Sequence, residues 1–579
     1  MHESLQKPRN RKVKSGCKTC KARRVKCDES RPACRRCLST GRACEGYGIW
    51  GGGGSPYGQP QGNTALSVYC TPIPVGSLTA DEQVSFDWFM ERTTKKFAGL
   101  FTSDFWETLV FQASAQEPAV RHAVVALSAA HRYDSNYGPW MIPAVYGFDA
   151  EQFTLQQYNK AIKFLRAPGG NGKNTLRVAL ITCMIFVTLE YLRGQFQMGA
   201  AHLRYGIQLL SGMSTKPPSS RSIISPNILS PAEDFAHKAI IDSYARLTTQ
   251  SAMFGYVPPH MCVMIRDPLT NALPYTFPSM VEARQCLDDL LNRIHCLKRH
   301  SYDLRSTNQA EPNDSETIIT QQNIISDLIL WRKTHTATYT RQTPSTRQSQ
   351  FGSILLRVYH EMATIMASVL LSPSSEMAYD DQTAHFMAII SGFFELWKFW
   401  TTASIQNLDI TELMKSPECR GNGFTVESGF IPPVYYTALN CRVPRIRRQA
   451  IRTLRSAPHR EGVWNGPLLA DVLEVVIGVE EGDFYAGKSF EGFDEFIDEE
   501  ITERDLAVPK VPEERRVSDV KVILPDKVAG DTFVSYKKAV DGRWVTFEKK
   551  VEPGVLRGWK LHFEGPEVTI GGLWKGMSQ

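Results

Sequence analysis

The sequence predicts a small cysteine-rich N-terminal module, a large all-α domain and a small β-rich C-terminal tail. Three observations support this fold class. Six cysteines fall within residues 17–44, a stretch with few apolar side chains. Apolar residues then recur at helical spacing through residues 76–515, and short alternating stretches follow beyond residue 515. At 579 residues the chain is long enough to bury a sizeable helical core.

The N-terminal cysteines form a repeated pattern, C-x2-C-x6-C-x6-C-x2-C-x6-C. They are Cys17, Cys20, Cys27, Cys34, Cys37 and Cys44. Thiolates suit zinc, which takes a tetrahedron of ligands. Because two zinc ions need eight ligand positions, six sulfurs suffice only if two of them bridge both ions, one from each C-x2-C-x6-C arm. A segment this poor in apolar residues cannot bury a core, so metal must hold it together.

A disulfide framework is the alternative use of six closely spaced cysteines. The context argues against it, because the N-terminal segment MHESLQKPRNRKVK lacks the apolar stretch of a signal peptide. The other seven cysteines are scattered, mostly in apolar surroundings, which is typical of free thiols in a reducing compartment. We therefore expect zinc binding.

The positive charge of the chain is concentrated around these cysteines. Residues 1–47 hold fourteen Lys or Arg and four acidic residues, a net charge of +10, whereas the whole chain carries +6. A small basic module on a slightly acidic body is typical of a protein that binds phosphates of nucleic acid. The first arm is the more basic, so it should enter the major groove while the second supports it. The first-arm basic residues are Lys18, Lys21, Arg23, Arg24 and Lys26.

Residues 14–46 resemble the fungal zinc binuclear-cluster (Zn(II)2Cys6) family of transcription factors. The resemblance implies two Zn²⁺ ions bridged by Cys17 and Cys34, with Cys20 and Cys27 completing one site and Cys37 and Cys44 the other. It also implies that a short helix starting near Cys20 reads a CGG-type triplet in double-stranded DNA.

The same resemblance suggests a role for each basic residue of the first arm. Arg23 and Arg24 would approach the bases, while Lys18, Lys21 and Lys26 would contact phosphates; a solvated face is the alternative for each lysine. The basic run at residues 7–14 is a nuclear-import signal, an arm on the DNA backbone, or both. The implied function is DNA binding by residues 1–46 and, for the chain, regulation of RNA polymerase II transcription in the nucleus.

Residues 47–75 are rich in Gly, Pro and Gln, which predicts a flexible linker. They contain no sustained apolar heptads. A monomer, a homodimer formed through the large domain and a coiled-coil dimer therefore all stay open, and the spacing of DNA half-sites cannot be read.

Helical patterns dominate residues 76–515. The predicted helices are 81–98, with Thr79 as a cap, 117–132, 149–166, 175–192, 197–210, 232–251, 281–298, 316–333, 354–371, 381–403 and 444–455. A resemblance to the second type of fungal-specific transcription-factor domain is carried by three stretches: FDWFMERTTKKFAGLF, EPAVRHAVVALSAAHR and residues 433–464. This resemblance implies an all-α regulatory region. Arg445, Arg447, Arg448 and Arg452 fit a salt-bridged helix face better than a second nucleic-acid surface.

We find no sequence signal for a membrane span or for an enzyme. The most apolar run, residues 178–192, is short for a bilayer and predicts a buried helix. The loop APGGNGKN at 167–174 lacks the first Gly and the final Ser or Thr of a phosphate loop, and His360-Glu361 lacks the second histidine of a zinc protease.

Two features are predicted near the C-terminus. Residues 479–505 interleave acidic and aromatic side chains, which fits either an activation segment that recruits coactivators or a docked surface segment. In residues 516–579 the pattern predicts a β-hairpin with strands at Phe533–Val540 and Arg543–Lys549, joined by a turn at Asp541-Gly542. Further strands are predicted at Val520–Leu524 and Trp559–Phe563.

The main hypothesis is thus a zinc-dependent DNA-binding transcription regulator. One alternative is a ligand-sensing or enzymatic helical body that the cluster only targets to DNA. Another is a repressor or scaffold that binds DNA without activating transcription.

Overall fold

The computed structural model describes part of a small N-terminal unit and most of a larger one. The chain separates into Met1–Cys70 and Thr71–Gln579. In the first unit the structure describes residues 19–20, 23–28 and 34–40, with one short helix, α1 (Arg35–Leu38). In the second it describes residues 78–552 apart from 98, 102, 138–147, 168–171, 213–234, 256–274, 307–314, 342–346, 373–375, 406–422, 456, 458, 487–500, 526–529 and 542. The predicted linker, 47–75, lies outside the described residues.

Helices make up most of the larger unit, as the sequence predicts. They are α2 (Ala80–Trp88), α3 (Thr94–Phe97), α4 (Val110–Gln116), α5 (Pro118–Tyr137), α6 (Phe148–Leu165), α7 (Gly172–Leu192), α8 (Phe196–Gly212), α9 (Phe235–Met253), α10 (Met280–Ser306), α11 (Ser315–Arg341), α12 (Arg347–Val369), α13 (Thr383–Ile405), α14 (Ile431–Asn440), α15 (Pro444–Arg455), α16 (Gly466–Glu481) and α17 (Glu503–Leu506). Each predicted helical segment overlaps one of them. The Thr79 cap is confirmed, because the Thr79 hydroxyl accepts from the N–H of Glu82 and the Glu82 carboxylate accepts from the N–H of Thr79.

Tightly wound or widened helical turns flank several of these helices. π-helical turns precede α3 (Phe89–Thr93) and α4 (Phe105–Leu109), and 3₁₀ turns precede α13 (Glu376–Gln382) and β4 (Glu513–Arg515). The sequence does not predict α4, α14, α16 or α17, so the described body is more helical than expected.

Helix α7 contributes many buried side chains to the hydrophobic core. Its window from Thr175 to Leu192 is long and apolar enough to cross a membrane, yet 67% of that window is buried inside the protein. Leu180, Ile185 and Val187 are fully or almost fully buried. The prediction of a buried core helix is confirmed.

Two three-stranded sheets accompany the helices. The first consists of β1 (Gly423–Thr425), β2 (His459–Glu461) and β3 (Trp464–Asn465), with β1 and β2 parallel and β2 and β3 antiparallel. The second is an antiparallel meander of β4 (Val517–Ile523), β5 (Thr532–Val540) and β6 (Arg543–Val551). The predicted hairpin is confirmed, with Val540 paired to Arg543. The strand predicted at 559–563 lies outside the described residues.

The second sheet shares the core of the helical body. Val522 and Val534 are fully buried and belong to the same hydrophobic cluster as the helices. The backbone N–H of Val517 donates to the carboxylate of Glu480 at the end of α16, at 3.0 Å. The boundary predicted at residue 516 therefore separates two kinds of secondary structure within one core.

Helix α15 is ion-paired, as predicted for its arginines. Arg445 pairs with Asp505, Arg447 with Glu480, and Arg448 with Glu481. Arg447 is completely buried. These three guanidinium groups bind acidic side chains of the body, which speaks against a second nucleic-acid surface there.

Candidate metal centre and nucleic-acid interface

Four buried thiols meet in the N-terminal unit. The sulfurs of Cys20, Cys27 and Cys34 all lie within 4.8 Å of one another. The Sγ atom of Cys20 lies 3.6 Å from that of Cys34 and 3.8 Å from that of Cys37. Two thiolates on one tetrahedral zinc, with Zn–S bonds of about 2.3 Å, lie roughly 3.8 Å apart. The distance between the sulfurs of Cys20 and Cys34 therefore fits two ligands of one zinc ion. The sulfurs of Cys20 and Cys37 lie almost equally close, although the resemblance assigns them to different ions.

The described part of the module has little interior besides sulfur. Its buried cluster consists of the four cysteines, with only Val25 packed against them. Such a cluster has too little apolar surface to fold by itself, which agrees with a requirement for metal. Cys17 and Cys44, the remaining predicted ligands, lie outside the described residues.

The first arm ends its helical turn with a left-handed residue. Thr19 and Cys20 are helical, and the N–H groups of Arg23 and Val25 donate to the carbonyls of Thr19 and Cys20, each at 3.1 Å. Arg24 has φ 54°. A bond that spans six residues around a left-handed residue is the Schellman ending of a helix, usually made with Gly. The turn leaves the side chain of Arg24 exposed.

The second arm is held by side chains of the first. Cys34 caps α1, because its sulfur accepts from the N–H of Cys37 at 3.3 Å. The two carboxylate oxygens of Asp28 accept from the N–H groups of Arg35 and Arg36, each at 3.0 Å. These are first-turn donors that a helix cannot satisfy internally.

A second contact joins the arms at the other end of α1. The Arg23 guanidinium donates to the hydroxyl of Thr40 at 3.1 Å, across seventeen residues of sequence. The Thr40 hydroxyl in turn lies within hydrogen-bond distance of the carbonyls of Arg36 and Cys37. The sequence gives no signal for either cross-arm contact, because each joins residues from different arms.

The predicted DNA-contacting residues have different environments. Arg24 and Lys26 are exposed, whereas Arg23 is half-buried against the second arm. Lys18 and Lys21 lie outside the described residues. Of the five predicted residues, the structure thus presents Arg24 and Lys26 to solvent on the first arm, beside the thiol cluster.

A small cavity in the helical body, lined by apolar side chains and a few charged ones, bears on the ligand-sensing alternative. Arg246, Arg284 and Asp288 line it. Both arginines pair with Glu427. Burial raises the pKa of the Asp288 carboxyl to about 6, although both arginines act to lower it. The charges compensate one another, so the cavity specifies no class of ligand.

Known proteins similar to this chain are fungal transcription regulators. The fungal Zn(2)-Cys(6) binuclear cluster domain family matches residues 15–49. The aspercryptin biosynthesis cluster-specific transcription regulator atnN of Emericella nidulans is 31% identical over 238 residues, 37% of this chain and 37% of the relative. The transcription regulator lscL of Purpureocillium lilacinum is 29% identical over 213 residues, 34% of this chain and 48% of the relative.

The name of a further relative includes the Zn(2)-C6 cluster. The Zn(2)-C6 fungal-type transcription factor afumD of Aspergillus fumigatus is 32% identical over 136 residues, 21% of this chain and 33% of the relative. None of these three names is that of an enzyme. The matches span between a third and a half of the relatives' length, and no solved structure matches the chain. This chain thus carries a fungal Zn(2)-Cys(6) binuclear cluster domain and is a homologue of fungal transcription regulators.

Proposed function

We propose that the chain is a zinc-dependent, sequence-specific DNA-binding regulator of RNA polymerase II transcription that acts in the nucleus and reads CGG-type triplets. One observation carries the proposal: a thiol cluster with the spacing of zinc ligands lies beside the exposed Arg24 and Lys26, within a matched binuclear cluster domain. Arginine with guanine O6 and N7 is the commonest specific base contact in the major groove.

Each part of the module has a role in this proposal. Two zinc ions would be held by the six cysteines, with Cys17 and Cys34 shared, and would supply structure rather than chemistry. Arg24 would contact a base edge, while Lys18, Lys21 and Lys26 would neutralise phosphates and fix the register. Phosphate contacts make affinity depend steeply on salt, whereas the base contact makes it depend on sequence.

The helical body would regulate this binding. Coactivators would engage the acidic segment at residues 479–505, although the body already holds both ends of that segment. Tyr485 donates to the carbonyl of Pro509 at 2.8 Å, and Asp505 pairs with Arg445. Residues 487–500, outside the described part, would be the portion that partners bind. The name of the Emericella nidulans relative makes genes of a biosynthetic cluster the first targets to test.

Selection of bound duplexes from random DNA by the zinc-loaded full chain tests the proposal. We expect CGG-type triplets to be enriched, and the spacing between them to show whether a dimer binds. Cys17→Ala should abolish enrichment, whereas Cys70→Ala, which removes a thiol outside the cluster, should not. Absence of enrichment with the wild-type chain, or its persistence in Cys17→Ala, would contradict the proposal.

Zinc removal should act on one unit of the chain only. A chelator should release two zinc ions per chain and abolish DNA binding, because metal supplies the folding energy of the cluster. The body has its own hydrophobic core, so its helical circular dichroism signal and its thermal midpoint should stay unchanged. Metal analysis by mass spectrometry gives the ion count, and DNA binding that survives complete zinc loss would refute the role of the metal.

A further inference from the structure

We infer that Arg23 and Asp28 are positioning residues that lock the second arm of the cluster onto the first, and that of the adjacent pair Arg23 and Arg24 only Arg24 reads a base. This inference rests on the proposed DNA-binding function. It revises the expectation that both arginines approach the bases, and it assigns a role to Asp28 and Thr40.

The first step concerns the beginning of α1. Both oxygens of the Asp28 carboxylate are used by backbone N–H groups, those of Arg35 and Arg36, at 3.0 Å each. A carboxylate that accepts two first-turn N–H groups fixes the direction of the helix it caps. Because Asp28 directly follows Cys27, a thiol of the cluster, this cap ties the orientation of α1 to the metal-binding part of the first arm.

The second step concerns the end of α1. Arg23 donates to the Thr40 hydroxyl, which lies 2.9 Å from the carbonyl of Arg36. A hydroxyl can donate to one group while it accepts from another, so Arg23, Thr40 and the end of α1 form one continuous hydrogen-bonded chain. The first arm therefore holds α1 at both ends, through Asp28 and through Arg23.

The third step separates the two arginines. Arg23 is half-buried as a residue and its guanidinium donates to Thr40 of the second arm at the surface of the module, whereas Arg24 is exposed. Arg24 adopts φ 54° at the end of the helical turn, so the backbone changes course between the two arginines. A guanidinium that is engaged between the arms is badly placed to read a base edge bidentately.

Sequence preference distinguishes positioning from base reading. In the full chain, Thr40→Val removes the acceptor of Arg23 without changing Arg23, and we expect it to weaken binding to the selected site and to each single-base variant by the same factor. Arg23→Ala should have the same uniform effect, and combining the two should add little. Thr40→Ser, which keeps the hydroxyl, should restore wild-type binding.

Arg24→Gly should behave differently. Gly favours the left-handed conformation, so this variant removes the side chain without straining the turn. We expect discrimination at one base position to fall by about 5- to 150-fold, with zinc content unchanged. Arg36→Ala, which removes an exposed arginine from the second arm, is the matched control and should leave the base preference unchanged.

Two results would overturn the inference. One is wild-type binding by Thr40→Val; the other is a relaxed base preference in Arg23→Ala that Thr40→Val does not share. A readout without DNA separates this inference from the proposed function. Asp28→Ala should accelerate amide exchange at Arg35 and Arg36 in the zinc-loaded chain, and unchanged exchange would overturn the inference even if the wild-type chain selects no DNA sequence.

Discussion

Glu480 shows how much a single residue can contribute to the body. It is completely buried, lies 2.7 Å from Arg442, pairs with Arg447 and accepts from the N–H of Val517. Burial alone would raise the pKa of its carboxyl, but Arg447 and Arg442 outweigh burial and lower the pKa to about 2. The Glu480 side chain of α16 thus forms ion pairs with Arg442 and with Arg447 of α15, and a hydrogen bond with the start of β4.

The Glu480 carboxyl predicts loss of stability in acid. Its pKa is near 4.5 in the unfolded chain and about 2 in the folded one, so the unfolded state binds more protons between these values. Its contribution is fully present above pH 4.5 and is lost as the pH falls through 2. Glu480→Gln should cost about 3–5 kcal/mol at pH 7 because it removes the carboxylate that two buried arginines share. Among the described acidic residues, Arg442 then keeps only Glu376, at 3.1 Å, and Arg447 only Glu481, at 3.8 Å. The difference from wild type should shrink between pH 4.5 and pH 2.

Urea unfolding at several pH values measures this effect. Glu474→Gln is the control, because Glu474 pairs with Arg455 on the surface and is 55% exposed. An exposed ion pair contributes about 0–1 kcal/mol, so its removal should change the free energy of unfolding little. A Glu480→Gln difference that stays constant down to pH 2 would contradict the pKa argument.

Two helical glycines test packing at the scale of elements. A Cβ on Gly206 of α8 would overlap the ring of Tyr244 in α9, which is buried and donates to the carbonyl of Leu180 in α7. A Cβ on Gly478 of α16 would meet nothing. Gly206→Ala should therefore destabilise the body by about 1–3 kcal/mol through overpacking, while Gly478→Ala should stabilise it by about 0.5–1 kcal/mol. Thermal unfolding of both variants decides; equal effects would mean that α8 can shift away from α9.

The elements that the sequence did not predict have a common physical cause. Helix α14 is buried on almost all sides and begins with two prolines, so its sequence has no polar face from which a helical period could be read. Strands β1 to β3 have two or three residues each, too few to show alternation. By contrast, the Thr79 cap, the amphipathic helices and the β5–β6 hairpin follow from local chemistry and were predicted.

In the candidate site, too, some features could be predicted from local sequence and others could not. Cysteine spacing alone identifies the thiols that the structure brings together, and local charge identifies Arg24 and Lys26. The contacts of Asp28 with α1 and of Arg23 with Thr40 could not be predicted, because they depend on how the two arms fold onto each other. Metal ligands and charged residues that are close in sequence can be predicted from the sequence. The orientation of one arm relative to the other can be seen only in the structure.

At the scale of the whole molecule, the C-terminal sheet completes the body. Removal of residues 517–579 would take away the buried Val522 and Val534 and expose the core they cover. We expect this chain to lose cooperative thermal unfolding and to aggregate during size-exclusion chromatography. Removal of 553–579 alone keeps all three described strands and is the comparison variant. A cooperative, monodisperse 1–516 chain would show that the sheet is dispensable.

The residues that flank 487–500 on both sides are anchored in the body by hydrogen bonds and an ion pair. The Tyr485 hydroxyl donates to the carbonyl of Pro509 at 2.8 Å, and Arg516 pairs with Asp380 at 2.8 Å. Any partner of residues 487–500 would therefore bind a stretch whose flanking residues are both anchored in the body, rather than a free end. A protease site inserted there would nick the chain without separating it: the two fragments should stay together as a non-covalent complex and, if expressed apart, should reconstitute one protein by complementation.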